Sequence, residues 1–434
     1  MLMKANPGDK VKVTTKTETY TGILIPTPKL TDEDSLILKL ENGYNIGINK
    51  KDIKKIKVLE EYIVKHSKKS KLVPKKNLPT VSILSTGGTI SSKVDYRTGG
   101  VYADYTAEDF VGLCPELKEI ANLRARKVMS LMSEDMLPKD WLNIAKFISA
   151  EIKKGVDGIV VTQGTDTLHF TTAAISFMLE QINIPVIFTA SQRSIDRGSS
   201  DAFMNLICAV KAAAKFDAAE VMTCMHGSIN DDYCFLIRGT KVRKMHTSRR
   251  DAFRPINDVP IAKVFPDKNI EILNKNYKKA DRKNKKIVKL KANFDDKIAL
   301  VYVYPGLNPD IIDFYKKKGV KGFVIAATAL GHVNTWTEKS LIPYIKNCYS
   351  KKIPVFITSQ TLYGAVNPYV YTNLRKVSIE AKGIYLKDIL PETAYIKLGW
   401  VLGQTKNYKK IKEMMLTNYH GEYSESLTPD MFLY

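Results

Sequence analysis

The sequence has few cysteines and no long apolar run, and both shortages exclude classes of protein. Its five cysteines are scattered, odd in number and without a Cys-x-x-Cys pair, which argues against a disulfide framework and a structural zinc site. His226 and Cys234 alone suggest a metal, and their spacing matches no common zinc pattern. No stretch is apolar enough to span a bilayer, and residues 1–10 lack the apolar core of a signal peptide. We therefore expect a cytoplasmic protein with buried thiols and no bound metal.

The chain also lacks internal repeats and any recognised nucleic-acid-binding motif. It does carry a formal net charge of +22, which predicts attraction to polyanions such as nucleic acid. The excess is mostly lysine spread along the chain, so solvated surface lysines are the competing interpretation. A length of 434 residues with an ordinary apolar fraction predicts a globular protein of two or three domains.

Residues 1–65 are predicted to form a small β domain. Short apolar or alternating runs recur there, and Asn42 and Gly43 between two of them give the strongest short hairpin signal, because both residues tolerate positive φ. The pattern favours a five-stranded SH3-like barrel, a fold that docks partners or RNA more often than it catalyses. Residues 66–79 are rich in lysine, which is typical of a solvated basic linker.

From residue 80 the pattern changes to apolar strands that alternate with helices. Strands are expected at residues 81–85, 158–162 and 184–189, and helices at residues 141–153, 167–181 and 202–215. This alternation predicts βαβ units and a parallel sheet in a domain of residues 80–292. A basic stretch at residues 267–291 either links two domains or carries an edge hairpin.

The same scheme repeats in residues 293–434, which are predicted to form a second α/β domain. Strands are expected at residues 297–303, 322–326 and 353–358, and helices at residues 309–318, 338–349, 392–402 and 408–415. The chain is thus predicted to be an α/β protein with a small β domain in front.

The first candidate site follows the strand at the start of residues 81–90. The strand runs into Thr-Gly-Gly-Thr at residues 86–89, and ligands bind at such strand ends in parallel sheets. Two glycines let the backbone approach a bound group, so Thr89 is a candidate nucleophile beside an oxyanion site. Thr86, before the glycines, is expected to shape the turn. An ordinary βα turn is the alternative interpretation.

The second candidate site is Thr-Gln-Gly-Thr-Asp-Thr at residues 162–167. Thr165 and Asp166 present a hydroxyl and a carboxylate where a helix is expected to begin, and its N-terminus adds positive potential. Asp166 as a helix N-cap is the alternative. If the two strands are neighbours in one parallel sheet, their loops converge on a single crevice.

Two further stretches supply charge. Residues 238–247 are rich in arginine and lysine, and a lysine desolvated beside another charge can lose its proton and act as a base. Solvated side chains are the alternative for most of them. Residues 132–136 supply the hydroxyl of Ser133 and the carboxylate of Glu134, where a helix N-cap is again the competing interpretation.

Together these stretches resemble a known family. Residues 86–90 and 164–167 resemble the two signature motifs of the bacterial-type L-asparaginases, and residues 133–135 resemble their substrate-carboxylate segment. Order and spacing agree, and the resemblance extends from about residue 81 to the C-terminus. It implies two asparaginase-type α/β domains with mainly parallel sheets behind the SH3-like barrel.

The resemblance also implies roles for individual residues. Thr89 resembles the primary nucleophile, which attacks the side-chain amide of glutamine to give an acyl-enzyme and ammonia before water releases glutamate. Thr165, Asp166 and Lys244 resemble a second hydroxyl, its orienting acid and the base that tunes it. Lys241 is the alternative for that lysine.

Substrate-binding residues follow in the same way. Ser133 and Glu134, with Asp166, would hold the substrate's α-carboxylate and α-amine. Gln163 stands where the family usually has histidine, a change expected to be tolerated. The mobile-loop tyrosine of the family is left unassigned, because Tyr96, Tyr102 and Tyr105 all follow Thr89.

Within the family, the added β domain and residues 242–253 are similar to the asparaginase-like subunits of archaeal glutamyl-tRNA(Gln) amidotransferases. This implies a GatE-like, kinase-like partner that binds tRNA(Gln) and uses ATP and magnesium, with no cofactor in this chain, and a homodimer within a heterotetramer. The alternatives are a free L-asparaginase that hydrolyses asparagine, and an inactive basic scaffold whose barrel binds RNA.

Overall fold

The computed structural model describes most of the chain, in several ranges. These are residues 5–25, 34–42, 44–62, 74–88, 93–94, 101–102, 112, 114–195 and 199–434. No helix within these ranges is long and apolar enough to cross a membrane.

The described strands are numbered in chain order. They are β1 (Lys10–Thr15), β2 (Thr19–Ile25), β3 (Ser35–Leu40), β4 (Asn45–Asn49), β5 (Ile53–Glu60), β6 (Thr80–Ser85), β7 (Lys93–Val94), β8 (Val101–Tyr102), β9 (Asn122–Lys127), β10 (Gly158–Thr162), β11 (Leu179–Ile182), β12 (Val186–Thr189), β13 (Val221–His226), β14 (Cys234–Arg238), β15 (Val242–Lys244), β16 (Phe253–Pro255), β17 (Ala262–Val264), β18 (Ile270–Ile272), β19 (Val288–Leu290), β20 (Ile298–Tyr302), β21 (Gly322–Ala327), β22 (Val355–Ser359) and β23 (Ile384–Tyr385).

The described α-helices are numbered in the same way. They are α1 (Leu117–Ile120), α2 (Pro138–Lys153), α3 (Leu168–Met178), α4 (Ala202–Lys215), α5 (Asp310–Lys317), α6 (Ile342–Ser350), α7 (Thr372–Arg375), α8 (Pro391–Gln404) and α9 (Tyr408–Leu416).

The first five strands form an antiparallel sheet in the order β4-β3-β2-β1-β5. Val11, Val13 and Leu38 are fully buried in its core, and Val11 and Val13 alternate with polar neighbours along β1. The predicted hairpin is confirmed, since Lys39 of β3 lies opposite Asn45 of β4. Five strands are therefore as predicted. Closure into an SH3-like barrel stays a prediction, because no pairing within the described ranges joins β4 to β5.

The second sheet has eight strands in the order β18-β17-β14-β13-β12-β10-β6-β9. Five neighbouring strands, β9, β6, β10, β12 and β13, run parallel to one another. The other three, β14, β17 and β18, are each antiparallel to the preceding strand of the sheet. Five of the eight strands therefore agree with the prediction of a mainly parallel sheet, and the other three make the sheet mixed. For β13 and β14 the cause is a short connection: His226 lies opposite Cys234, and so short a loop can join only antiparallel strands.

Two further predictions meet corrections beside this sheet. The helix expected at residues 167–181 ends at Met178, because residues 179–182 pair as β11 with β19. The basic stretch at residues 267–291 contains both β18 and β19, which agrees with edge strands rather than a bare linker.

The third sheet is wholly parallel, in the order β20-β21-β22-β23, which confirms the prediction for this part of the chain. The expected helices are present as α5, α6, α8 and α9. Helix α8 also packs on α3 of the preceding domain: the rings of Phe177 and Trp400, both buried, stack with centroids 5.6 Å apart. One apolar core therefore spans the two α/β domains.

Candidate active site

The two glycine loops (residues 86–88 and 163–167) lie side by side. They follow β6 and β10, which are adjacent and parallel, with Ser85 opposite Thr162. The backbone N–H and the hydroxyl of Thr86 both donate to the Thr162 carbonyl, at 3.0 and 2.9 Å, and Thr86 is fully buried. Thr86 thus ties the first loop to the end of β10, which agrees with the prediction that it shapes the turn.

The approach of the loops requires glycine. Gly88 has φ +79°, and a Cβ added to it would overlap the amide nitrogen of Gly164. A Cβ added to Gly164 would in turn lie 2.8 Å from Ser133 Oγ. Backbone therefore packs on backbone here, and neither position has room for a side chain.

Thr89, the predicted nucleophile, comes next in the chain but lies outside the described residues, as do Tyr96 and Tyr105. Tyr102 belongs to β8. Gly88, the last described residue before Thr89, is in contact with Gly164, so this part of the chain leads to the second loop.

The remaining predicted catalytic residues lie together. Lys244 Nζ lies 2.9 Å from Thr165 Oγ1 and 2.6 Å from Asp166 Oδ1. The Lys244 side chain is 11% exposed, whereas that of Asp166 is 61% exposed. The hydrogen bond from the Lys244 ammonium holds the pKa of Asp166 below its usual range. The Lys244 ammonium therefore contacts a hydroxyl and a carboxylate of the second loop at the same time.

The N-cap interpretation of Asp166 does not describe the structure. Helix α3 begins at Leu168, its N-cap residue is Thr167, and no side chain caps it. The Asp166 carboxylate accepts from Lys244 instead.

The two candidate lysines are separated by their contacts. Both belong to the lysine hairpin (residues 241–255), in which β15 pairs with β16. Lys241 is 1% exposed and pairs with Asp388, 147 residues further along the chain. Lys244, not Lys241, therefore faces Thr165. The interpretation of residues 238–247 as solvated is also wrong for Lys241 and for Arg238, which pairs with Glu220 at 2.6 Å.

Ser133 and Glu134 occupy a 3-10 turn at Ser133–Asp135 beside the second loop. Ser133 is 2% exposed, and its Oγ accepts from the backbone N–H of Asp166 at 3.2 Å. Its carbonyl accepts from the Thr167 hydroxyl at 2.6 Å. Glu134 is exposed. Since α2 begins only at Pro138, the turn is no N-cap for it.

Sequence analysis did not single out His169 near the site, and it treated Gln163 only as a tolerated change. Burial, with a smaller effect of Arg243 and Lys244, lowers the pKa of His169 to about 3, so this imidazole is neutral at physiological pH. Gln163 is 1% exposed and its amide donates to Thr171 Oγ1 at 3.0 Å, so it packs behind the loop. His169 follows Asp166 by three residues in α3, a spacing that alone signals nothing.

Other features lie apart from this site. His226 contacts Asn205 Oδ1 at 2.6 Å and Asp231 Oδ1 at 3.0 Å. Within the described ranges, no three His, Cys, Asp or Glu side chains are grouped to hold a metal ion. A cavity of about 760 Å³ is lined by Arg238, Glu220 and other residues, but by none of the predicted site residues.

Three family models match the chain. Residues 5–59 match the GatD N-terminal domain, residues 80–278 the N-terminal asparaginase domain and residues 297–415 the glutaminase/asparaginase C-terminal domain. The predicted limits of 1–65, 66–79, 80–292 and 293–434 stay predictions. With the fold and site above, the matches define an asparaginase-type amidohydrolase.

Proteins of similar sequence show which family of asparaginase-type proteins the chain belongs to. The chain is 48% identical to the GatD subunit of the glutamyl-tRNA(Gln) amidotransferase of Pyrococcus furiosus, over 100% of this chain and 95% of that protein. It is 42% identical to the corresponding protein of Methanococcus maripaludis, over 97% and 98% of the two chains. The chain therefore belongs to the GatD family of amidotransferase subunits, whose α/β domains are of the asparaginase type.

Solved structures give the same fold. The L-asparaginase of Thermococcus kodakarensis superposes with a TM-score of 0.71 at 29% identity, over 80% of this chain and 100% of that one. L-asparaginase I of Vibrio cholerae gives 0.69 at 28% identity, over 80% and 99%.

Proposed function

We propose that this chain hydrolyses the side-chain amide of glutamine and supplies the ammonia to a partner subunit. That partner uses ATP to convert Glu-tRNA(Gln) to Gln-tRNA(Gln). The observation that carries the proposal is the contact of Lys244 with Thr165 and Asp166 beside the loop that leads to Thr89. The similarity to GatD subunits of other organisms supports the amidotransferase context.

In the proposed reaction, the Thr89 hydroxyl attacks the amide carbon and forms an ester with the glutamyl group. The proton that leaves this hydroxyl passes through Thr165 to Lys244 in its neutral form, and returns to the amide nitrogen as ammonia leaves. Water then attacks the ester and releases glutamate. Asp166 orients Lys244 and balances its charge whenever it is protonated. The sum is glutamine and water giving glutamate and ammonia.

The substrate would be oriented by Asp166 of the second loop and by the adjacent turn at residues 133–135. We assign the substrate's α-amine to the carboxylates of Asp166 and Glu134, both of which are exposed. Its α-carboxylate is assigned to the Ser133 turn. Such contacts hold the amide near the nucleophile and do not react themselves.

The proposal includes partners. A GatE-like, kinase-like subunit would bind tRNA(Gln), ATP and magnesium, while this chain needs no cofactor of its own. Two copies of each subunit would form the complex, as a homodimer of this chain within a heterotetramer.

The test replaces the nucleophile. Thr89→Ala in the complex with the kinase-like subunit of the same organism should abolish glutamine-dependent Gln-tRNA synthesis. Synthesis with added ammonium should continue, because that step belongs to the partner. If glutamine still supports synthesis, Thr89 is not the nucleophile; if ammonium also fails, the variant has disrupted the complex, and Thr89→Ser replaces it.

A free L-asparaginase is the second candidate, favoured by the similarity to two solved L-asparaginases. One methylene separates the substrates, which is worth only about 1–3 kcal/mol in a pocket. Rapid asparagine hydrolysis by the isolated chain, unchanged by partner or tRNA, would establish this function instead.

A further inference from the structure

The lysine hairpin is held by two carboxylates of the second α/β domain. Arg243 pairs with Glu392, in the first turn of α8, and Lys241 pairs with Asp388. Both carboxylates are 5% exposed. The second domain contributes none of the predicted site residues, yet it anchors the segment that carries Lys244.

Hydrogen bonds between uncharged groups also join the lysine hairpin to the second domain. The Thr393 hydroxyl donates to the carbonyl of Thr240, just before the hairpin, at 3.1 Å. At the other end, the Asn257 amide donates to the carbonyl of Asp388 at 3.1 Å. Both ends of the hairpin are therefore fixed to the residues around α8.

Strand geometry links the anchor to the site. Arg243 and Lys244 are consecutive in β15, so their side chains leave opposite faces of the strand. Lys244 contacts Thr165, while Arg243 contacts Glu392, which also accepts from the Tyr302 hydroxyl at 3.2 Å. Because Arg243 and Lys244 share one planar peptide unit, a displacement of the Arg243 backbone also displaces that of Lys244.

We propose that Glu392 is a positioning residue for amide hydrolysis: its bond to Arg243 sets where Lys244 Nζ lies relative to Thr165 Oγ1. The proposal rests on the proposed function in that Lys244 takes part in the reaction. It holds for either amide, glutamine or asparagine. Glu392 touches no reacting atom, so it governs rate rather than substrate affinity.

The test measures steady-state hydrolysis of both amides by the full complex with Glu392→Gln, Arg243→Met and the double variant. Each single variant should lower kcat about tenfold, because a misplaced catalytic group costs rate, and should leave KM within about twofold. The double variant should be no slower than the slower single variant, since both changes remove the same contact.

Glu220→Gln is the matched control, because it breaks the largely buried pair between Glu220, 15% exposed, and Arg238 inside the first domain. It should lower the melting temperature about as much as Glu392→Gln while kcat stays within about twofold. The proposal fails if Glu392→Gln keeps the wild-type kcat, if the loss appears in KM, if the double variant is additive, or if Glu220→Gln is equally slow.

The proposed function fails separately. A wild-type complex that hydrolyses asparagine but not glutamine refutes the glutaminase function, and the positioning role is then decided on asparagine. A wild-type complex that hydrolyses neither refutes both proposals.

Discussion

The glycine loops and the lysine hairpin face the same site, but different forces hold them there. In the loops, backbone packs directly on backbone: Gly88 touches Gly164, and Thr86 donates twice to one carbonyl. In the hairpin, charged side chains reach across to another domain, from Lys241 to Asp388 and from Arg243 to Glu392.

Under the proposed function, this difference corresponds to two different requirements of the reaction. A nucleophile loop needs fixed geometry at short range, which two glycines and a parallel strand pair supply. A lysine that exchanges a proton needs a controlled charge environment, and buried ion pairs supply that at the risk of leaving a charge unpaired. We therefore expect the lysine hairpin to be disrupted by the loss of one charged side chain, and the glycine loops to be disrupted by an added side chain.

The largest effects should come from the two lysines of the hairpin. Lys241→Met leaves Asp388 buried without its cation, so the free energy of unfolding should fall by about 3–5 kcal/mol. Lys244→Met removes a pair with an exposed carboxylate, which should cost less than about 1 kcal/mol. It should instead lower kcat by about 10²–10⁴, the usual contribution of a general base.

Guanidinium unfolding and amide hydrolysis of the same preparations check this contrast. Each lysine variant serves as the other's control. If Lys244→Met lowers stability as much as Lys241→Met, or if Lys241→Met folds normally and loses the rate, the division between anchor and base is wrong.

The loop side should respond to a single methyl group. Gly88→Ala places a Cβ against the Gly164 amide, so the loops must part and kcat should fall about 100-fold. Gly319→Ala is the matched control: Gly319 also has positive φ, at +84°, but nothing lies within 4 Å of its Cβ position. The control should lose only about 1–2 kcal/mol of stability through backbone strain, with kcat unchanged.

Equal loss of rate in the two glycine variants would show that positive φ, rather than the approach of the loops, is what Gly88 provides. Unfolding curves of both variants separate strain from the displaced loop.

Local sequence predicted the loop side well. Apolar strands that end in glycine and hydroxyl residues are short-range signals, and β6 and β10 are indeed neighbours. Sequence predicted the anchors of the hairpin poorly: Arg243 and Glu392 are 149 positions apart, and neither residue carries a local sign of its partner. The family resemblance favoured Lys244 and left Lys241 as the alternative, and only their distant contacts with Thr165 and Asp388 separate the two.

The fold shows the same limit. Helix α4 agrees with its predicted bounds, because an amphipathic period is a local property. Residues 179–181 were predicted as the end of a helix but belong to β11, which pairs with β19, more than 100 residues away. The antiparallel strands β14 and β17 were not predicted, because pairing direction depends on connections that a period does not reveal, whereas β18 lies in the basic stretch for which an edge hairpin was one of two predictions.

The smallest effect concerns pH and again belongs to the hairpin side. Two histidines adjoin the hairpin: His169, whose pKa responds to Arg243 and Lys244, and His420, whose carbonyl accepts from the Thr240 hydroxyl at 2.9 Å. Burial lowers the pKa of His169 to about 3 and that of His420 to about 4. Both are therefore neutral in the folded chain at pH 5 to 7.

The sign follows from proton uptake. An unfolded histidine titrates near pH 6.5, so below that pH the unfolded chain binds protons that the folded chain does not, and stability falls. At pH 5.5 each histidine should cost on the order of 1 kcal/mol. His169→Gln and His420→Gln should each flatten the decline of stability between pH 7 and 5.

The buried Glu422 loses its charge only at a pH below this range. Burial raises its pKa, but the effect of Lys397 is larger and holds the pKa below its usual range. A double variant that declines as steeply as the wild type would place the acid sensitivity outside the hairpin.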